Sequence, residues 1–400
     1  MPTHTDYMRL ALRLARRAFG ATSPNPMVGA VLVKRGEIIG RGWHHRAGEP
    51  HAEIEALRDA GRRGFNPKGA TLYVTLEPCS THGRTPPCTE AIIAAGIKHV
   101  VVGATDPNPR HRGRAFKILR RAGIAVTPGI LADECARLNE SFNHWIAHRT
   151  PFVTVKAAMT LDGKIATASG ESKWITGPLA RAYAMKRRQG ADAILVGINT
   201  ILADNPSLTV RPPTAQGRRA AAADRNRKRL RRIVLDSMAR TPREARIVTD
   251  EDAELTTVVV SERAPRQRVA ALSKLVKVLV APVARKVGRV VANAPPSQKG
   301  MPPAEDSQPR LDLRWLLKQL GREQVTSLLV EGGGEVNASF LLQGLAHRVA
   351  FFYAPKLLGG RDSLKGVAGQ GARTLAETVN LTELEWRRLE PDWLLTARVA

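Results

Sequence analysis

The sequence predicts an α/β protein built as two successive domains, each a mostly parallel sheet with helices on both faces. Short apolar runs of strand length alternate along almost the whole chain with segments whose apolar residues recur at helical spacing. The polar stretch His148-Arg149-Thr150-Pro151 interrupts that alternation, which then starts afresh. Candidate metal ligands also fall at helix starts just after strand ends, where open α/β sheets place their sites.

In the first half, Thr5 or Asp6 is the expected cap of a helix whose apolar residues Met8, Ala11, Leu12, Ala15 and Phe19 lie on one face, and Gly20 stops it. Pro24-Asn25-Pro26 makes a rigid loop before a strand from Val28 to Val33, and Lys34-Arg35-Gly36-Glu37 turns into a second strand, Ile38 to Gly42. A helix opens at His51. The buried strand Thr71 to Leu76 delivers Glu77-Pro78-Cys79, and another helix runs from Thr89 to Ala95. A strand at Val100–Gly103, a helix near Ala115–Ala122, a short strand near Ile124–Val126 and a helix around Cys135 complete the domain, assigned to residues 1–147. The second domain, 148–400, opens with a strand at Phe152–Ala158, and Thr176-Gly177-Pro178 starts a helix to about Gln189. Further strands are expected at Ala193–Val196, Arg232–Asp236, Thr256–Val260, Leu275–Val280 and Ser327–Val330, with a helix at Leu313–Leu320. Glu331-Gly332-Gly333-Gly334-Glu335 then opens a helix carrying Val336, Phe340 and Leu341. Its glycines allow close backbone approach, and the helix start offers N–H groups to a phosphate.

His51, Glu53, Cys79 and Cys88 are the most informative residues. One imidazole and two thiolates give three zinc ligands, and three protein ligands leave a fourth tetrahedral position open, the mark of a catalytic rather than a structural zinc. Glu53, two residues past the histidine, sits where a proton shuttle belongs. His-x-Glu followed by Pro-Cys is the signature of zinc deaminases acting on nucleobases. A lone histidine or cysteine pair is usually structural, but here all the pieces occur together and in order. Eight residues, Ser80 to Pro87, separate the two cysteines rather than two, and that loop carries a histidine, an arginine and hydroxyls suited to a phosphate or polar ring.

Composition bounds the rest. The chain has 400 residues, is 43% hydrophobic, and has no apolar run long enough to span a bilayer. Its first residues do not read as a secretory signal, and thiolate ligands with one cysteine left over, Cys135, fit a reducing cytoplasm. A net charge of +26 and a pI near 11.0 raise nucleic acid as a rival partner. Much of the excess lies in one stretch, Arg218 to Arg232 (the insertion placed at about 213–231). It has few apolar side chains and no aromatics, and reads as a solvated insertion without a specific nucleic-acid role. A Pro- and Ser-rich loop is expected at about 292–309.

Ser23-Pro24-Asn25-Pro26-Met27-Val28-Gly29, Ala47 to Glu53, Val74 to Cys79, Gly83 to Cys88 and Asp106-Pro107-Asn108-Pro109 resemble the deaminase half of the bifunctional riboflavin-biosynthesis deaminase–reductase family. Lys156-Ala157-Ala158, Leu161-Asp162-Gly163-Lys164, Trp174-Ile175-Thr176, Asp204-Asn205-Pro206 and Ala354 to Gly360 resemble its reductase half. The resemblance implies a cytidine-deaminase-like three-layer domain followed by a dihydrofolate-reductase-like α/β domain. It also implies Zn2+ and NADPH as cofactors, a phosphoribosyl pyrimidine as substrate, and a dimer or tetramer. Hydrolytic deamination at C2 of the pyrimidine would precede reduction of the ribosyl group at C1′. By the family pattern, Ala158, Trp174, Thr200, Asp204, Ser237 and Gly333, Gly334, Glu335, Val336, Asn337, Ala338 and Ser339 would face NADPH. Ser172, Arg188, Leu208, Arg211 and Glu331 would face substrate, the two arginines suiting its phosphate because guanidinium forks match phosphate oxygens. Two rivals stand beside this reading: a tRNA-type nucleic-acid zinc deaminase with an accessory domain, and a binding or regulatory protein with degenerate sites.

Overall fold

The computed structural model describes residues 2–82, 86–109, 111–210, 229–284 and 310–400. Arg211, most of the basic insertion, and the Pro-rich loop lie outside the described residues, as do Gly83, Arg84 and Thr85. The chain divides into two compact units, Met1–Thr150 and Pro151–Ala400.

The first unit is a five-stranded sheet in the order β2-β1-β3-β4-β5. The strands are β1 (Gly29–Lys34), β2 (Glu37–Trp43), β3 (Thr71–Leu76), β4 (His99–Ala104) and β5 (Ala125–Pro128). Pairs β1–β2 and β1–β3 are antiparallel; β3–β4 and β4–β5 are parallel. Residues alternate between faces as a strand requires. Leu32, Leu72, Val74, Val100 and Val102 point to one layer, with α2 (Ala52–Arg62), α3 (Cys88–Ala94) and α4 (Arg114–Arg121). Val31, Val33, Tyr73 and Val101 point to the other, with α1 (His4–Ala15) and α5 (Ala132–Leu138). Helix α6 (Glu140–His148) ends the unit, so the boundary expected after residue 147 falls inside its last turn. The cap of α1 is Thr3 rather than Thr5 or Asp6. Its hydroxyl accepts from the Asp6 N–H and the Asp6 carboxylate accepts in return, a reciprocal capping box. Phe19 lies beyond the helix and is exposed. Helix α2 rests directly on β2, because a Cβ at Gly42 would lie 2.3 Å from the Ala52 carbonyl oxygen. That close approach sets the start of α2, and with it His51.

The second unit is a nine-stranded sheet, β11-β10-β9-β8-β12-β6-β13-β16-β15. It contains β6 (Phe152–Thr160), β8 (Ala193–Gly197), β9 (Arg231–Leu235), β10 (Thr256–Ser261), β11 (Lys277–Ala281), β12 (Ser327–Val330), β13 (Arg348–Ala354), β15 (Leu381–Leu389) and β16 (Asp392–Val399). Strands β11 through β13 in that order run parallel, and β16 and β15 close the sheet antiparallel. One short ribbon pairs β7 (Lys164–Ala166) with β14 (Leu364–Lys365). Helices α7 (Pro178–Gly190), α8 (Ile198–Asp204), α9 (Arg246–Thr249), α10 (Arg266–Ser273), α11 (Leu313–Arg322) and α12 (Gly334–Leu342) cover the two faces.

The end of the basic run departs from the solvated insertion expected of it. Arg231 and Arg232 belong to β9. Arg232 is fully buried, and its guanidinium donates to both Asp250 oxygens, at 2.7 and 2.8 Å, and to the Ser207 and Ile247 carbonyls. Arg229 pairs with Asp252 and Glu254, and Arg231 with Glu323. Charge density in the sequence hid these pairs because their acidic partners lie far along the chain. Removing one member of a buried pair strands the other charge. Asp250→Ala is therefore expected to destabilise the second unit by about 3 kcal/mol, lowering its calorimetric midpoint by roughly 6–12 °C. A midpoint equal to wild type would show that Arg232 needs no such partner.

Candidate active sites

The first site forms at the carboxyl end of β3, where two helix starts face each other. His51 is the N-cap residue of α2 and spends no side-chain hydrogen bond on capping, so its ring turns outward. Cys88 is the first residue of α3, and its backbone N–H donates to Cys79 Sγ at 3.2 Å. His51 Nδ1 lies 3.4 Å from Cys79 Sγ and 3.3 Å from Cys88 Sγ, and the three donor atoms lie within 4.8 Å of one another. A hydrogen bond from the Cys88 thiol, and then one from His51, pull Cys79 down to about 4, while the same shared proton holds Cys88 up. Such a thiolate-imidazole set matches the soft-donor preference of zinc.

Glu53 stands beside the cluster, 2% exposed, and its Oε2 has no hydrogen-bond partner. Burial, reinforced by the Cys79 charge, raises its carboxyl to about 7. Leaving a buried carboxylate oxygen unpartnered is costly unless the group has a use. A proton acceptor poised near neutrality can take a proton and give it back. The sequence reading passed over His44, which is 2% exposed and meets the His51 ring edge-on with centroids 5.2 Å apart. Its Nδ1 lies 3.1 Å from the Pro50 carbonyl, and its Nε2 lies 3.1 Å from the Asn25 amide nitrogen. With the Pro50 carbonyl taking the Nδ1 proton, Nε2 is left as an acceptor. Burial lowers its pKa, so the ring is held neutral. The Asn25 loop is pinned in turn by Asn139, whose amide bonds both the N–H and the C=O of Met27 at 2.8 and 2.9 Å. These partners lie up to 112 residues away, and no local pattern announces them.

The second site gathers at the carboxyl ends of the parallel strands, where the N-termini of α8 and α12 also lie. Glu331 follows β12. Arg188, from α7, donates to both its oxygens at 3.0 and 2.9 Å, and Lys156 Nζ from β6 lies 3.5 Å away. Burial alone would raise Glu331, but Arg188 and then Lys156 outweigh it and bring the carboxyl down to about 2. Arg188 also donates to the Thr209 carbonyl at 3.1 Å. The guanidinium expected to grip substrate phosphate is therefore committed to Glu331 and backbone. Leu208, expected to face substrate, is 3% exposed and packs its side chain in the apolar core. Lys156, a charge in the middle of an apolar strand, is the signal that sequence reasoning quoted without giving it a role.

The residues expected at the cofactor divide by environment. Gly334 admits no side chain, since a Cβ there would lie 2.2 Å from the Lys365 carbonyl oxygen. Val336 packs beneath Gly332 and Gly197. Asn337 is fully buried; its amide donates to the Gly366 carbonyl at 2.8 Å while Oδ1 has no partner. Ala338 is buried, Glu335 accepts from the Gly369 N–H, and the Ser339 hydroxyl donates back to the Glu335 carbonyl. Gly333 caps α12, Thr200 lies in the first turn of α8, and Ser237 follows β9 with its carbonyl bonded to Ser261. Asp204 ends α8 and pairs with Lys173 at 2.9 Å. Trp174 is 66% exposed, with Arg181 over its ring. Ala158 is half-buried against the core beneath α7, and Ser172 is half-buried. Asp162 ties two motif loops together by accepting from the Leu358 and Gly359 N–H groups at 3.1 and 2.8 Å.

Comparison with known proteins matches each unit to a family. Residues 1–104 match the cytidine and deoxycytidylate deaminase zinc-binding region, and residues 151–395 match the RibD C-terminal domain. The riboflavin biosynthesis protein RibD of Actinobacillus pleuropneumoniae is 42% identical over 98% of this chain and 94% of its own length. That of Escherichia coli (strain K12) is 40% identical over 96% of each. Among solved structures, Acinetobacter baumannii RibD, form 1, aligns with a TM-score of 0.81 at 34% identity over 99% of both chains. A Thermotoga maritima diaminohydroxyphosphoribosylaminopyrimidine deaminase/5-amino-6-(5-phosphoribosylamino)uracil reductase aligns with a TM-score of 0.77 at 33% identity, again over 99% of both. Fold and sites thus define a two-unit enzyme, a cytidine-deaminase-like zinc hydrolase followed by an NADPH-dependent reductase. The chain belongs to the RibD family of bifunctional riboflavin-biosynthesis proteins. Deamination of nucleic acid, the rival reading, is not favoured by these relatives. Among the described residues, no helix is long and apolar enough to cross a membrane.

Proposed function

We propose that the first unit hydrolyses the 2-amino group of 2,5-diamino-6-(5-phosphoribosylamino)pyrimidin-4(3H)-one. The second unit then reduces the ribosyl group with NADPH to give 5-amino-6-(5-phosphoribitylamino)uracil. The observation that carries this reading is the buried Glu53 carboxylate, whose Oε2 has no hydrogen-bond partner, beside a three-donor His51, Cys79, Cys88 cluster. Those three residues would hold zinc, which when bound lowers the pKa of a water enough for it to attack at ordinary pH. Glu53 accepts the water's proton, delivers it to the ring nitrogen, and assists departure of ammonia. His44, bonded to the Pro50 carbonyl and the Asn25 amide, packs edge-on against the His51 ring and fixes its orientation. In the second unit NADPH supplies hydride when bound. Gly333, at the start of α12, would seat it, because a helix N-terminus suits a phosphate, with the buried Gly334 and Asn337 holding that start in place. Glu331, with Lys156 and Arg188, would orient the sugar.

We also propose a homo-oligomer working in the cytoplasm. Strand β15 lies at the edge of its sheet and is exposed on both faces between its ends, with Trp386 57% exposed. An edge strand of that length normally needs cover. A reducing compartment keeps the thiolate ligands available.

Substrate choice tests the reading. Purified, zinc-replete protein should release ammonia from the diaminopyrimidine ribosyl phosphate and none from cytidine, dCMP or transfer RNA. Ammonia from the RNA instead would overturn it.

A further inference from the structure

Glu77 is a buried acid that the deamination chemistry above leaves unused. It is 5% exposed and sits between the end of β3 and Pro78-Cys79. Among the described residues it makes no ion pair, and its carboxylate accepts from three backbone N–H groups. Oε2 accepts from the Asp106 N–H at 3.1 Å and the Gly113 N–H at 2.9 Å, and Oε1 accepts from the Ala115 N–H at 3.0 Å. Gly113 is the N-cap of α4 and has no side chain to serve that helix. Glu77 therefore caps α4 from the neighbouring strand, a favourable place for a negative charge. The same carboxylate holds Asp106, which follows the end of β4.

Strands β3 and β4 are parallel neighbours, so their carboxyl ends lie side by side, with Leu76 opposite Ala104. The Glu77 N–H donates to the Ala104 carbonyl at 2.9 Å, which locks the two chain exits together. One exit leads in two residues to the ligand Cys79, and the other leads in two residues to Asp106, whose N–H returns to the Glu77 carboxylate. Asp106 Oδ1 accepts from the Asn108 N–H at 2.8 Å, so the segment Asp106-Pro107-Asn108 is a fixed wall beside the metal cluster. One of its attachments is the Glu77 carboxylate, through the Asp106 N–H.

We propose that Glu77 is a positioning residue of the deaminase site, seating the Asp106–Asn108 wall against which the substrate binds. This assignment rests on the deaminase reading of the first unit. It separates binding from chemistry, because Glu77 touches neither the ligand atoms nor Glu53 by any hydrogen bond among the described residues.

The test is Glu77→Gln in the full-length, zinc-loaded protein, with steady-state deamination, bound zinc and reduction of a supplied deaminated intermediate measured on one preparation. The glutamine keeps the shape and one acceptor oxygen but loses the other acceptor and the charge. The expected result is a KM for the diaminopyrimidine raised on the order of tenfold, the loss of about one charge-assisted hydrogen bond. The turnover number, zinc content and reductase rate should stay at their wild-type values. A fall in turnover at unchanged KM, or a loss of zinc, would overturn the proposal, the latter by showing that Glu77 supports the ligands themselves. An unchanged KM would also overturn it. Asp106→Ala is the second variant. It leaves all three Glu77 bonds in place, because they go to backbone, yet alters the wall, so KM should rise again; an unchanged KM there counts against the wall. Turnover by the wild-type enzyme in the same assay separates a failure of the deaminase reading from a failure of this assignment.

Discussion

Glu53→Gln is expected to lower deamination by about 10³-fold or more while reduction of a supplied deaminated intermediate continues at the wild-type rate. Glutamine fills the same buried space, so the cluster of His51, Cys79 and Cys88 has no reason to move. It cannot accept a proton from water or return one to the ring. The effect is large because one carboxylate serves both transfers, and Oε2 has no partner that could relay the proton in its place. Ammonia release and NADPH oxidation, measured separately on the variant, check this. If both rates fell together, the two activities would not reside in separate sites. If ammonia release survived within tenfold of wild type, Glu53 would not be the proton shuttle.

The second large effect is expected at Glu331. Its carboxylate pairs with Arg188, whose side chain is 11% exposed, and with Lys156, at 16%. Glu331→Gln leaves both cations facing an uncharged amide and should destabilise the second unit by about 3–5 kcal/mol. Reductase activity should be lost with it. The pH dependence has a definite sign. The folded carboxyl is depressed, from an ordinary 4.5 to about 2. Its contribution is thus fully present above the unfolded value and is lost as pH falls through the folded one, a window between about 4.5 and about 2. Acid titration of unfolding, followed by calorimetry, should show the wild-type protein losing stability across that window and Glu331→Gln losing less. Parallel titrations of the two proteins would contradict the buried-pair account.

Most of the architecture was legible in the sequence because strands and helices carry their own periodicity. The runs Thr71–Leu76 and Ser327–Val330 match strands residue for residue, and Thr176-Gly177-Pro178 marks the start of α7. The zinc ligands were legible for a chemical reason, since few other uses require His51, Cys79 and Cys88 in that order. What escaped depends on partners distant in sequence. Strand β15 was passed over because it alternates charge with bulk on an exposed edge and lacks a buried face to betray it, whereas β13 and β16 were passed over although both carry buried apolar runs. Arg229, Arg231 and Arg232 looked like part of a solvated run until Asp250, Asp252 and Glu323 came beside them. Arg188 was read as a phosphate clamp because guanidinium suits phosphate. Its bidentate pairing with Glu331, across 143 residues, is a property of the folded sheet.

The central claim is that one chain performs hydrolysis and then reduction at two sites. The most direct measurement follows ammonia and NADPH together after adding the diaminopyrimidine ribosyl phosphate to zinc-replete protein. Ammonia release with no lag, then NADPH loss after one, in equal final amounts, is the predicted result. NADPH loss without prior ammonia, or neither signal from protein carrying its zinc, would contradict it.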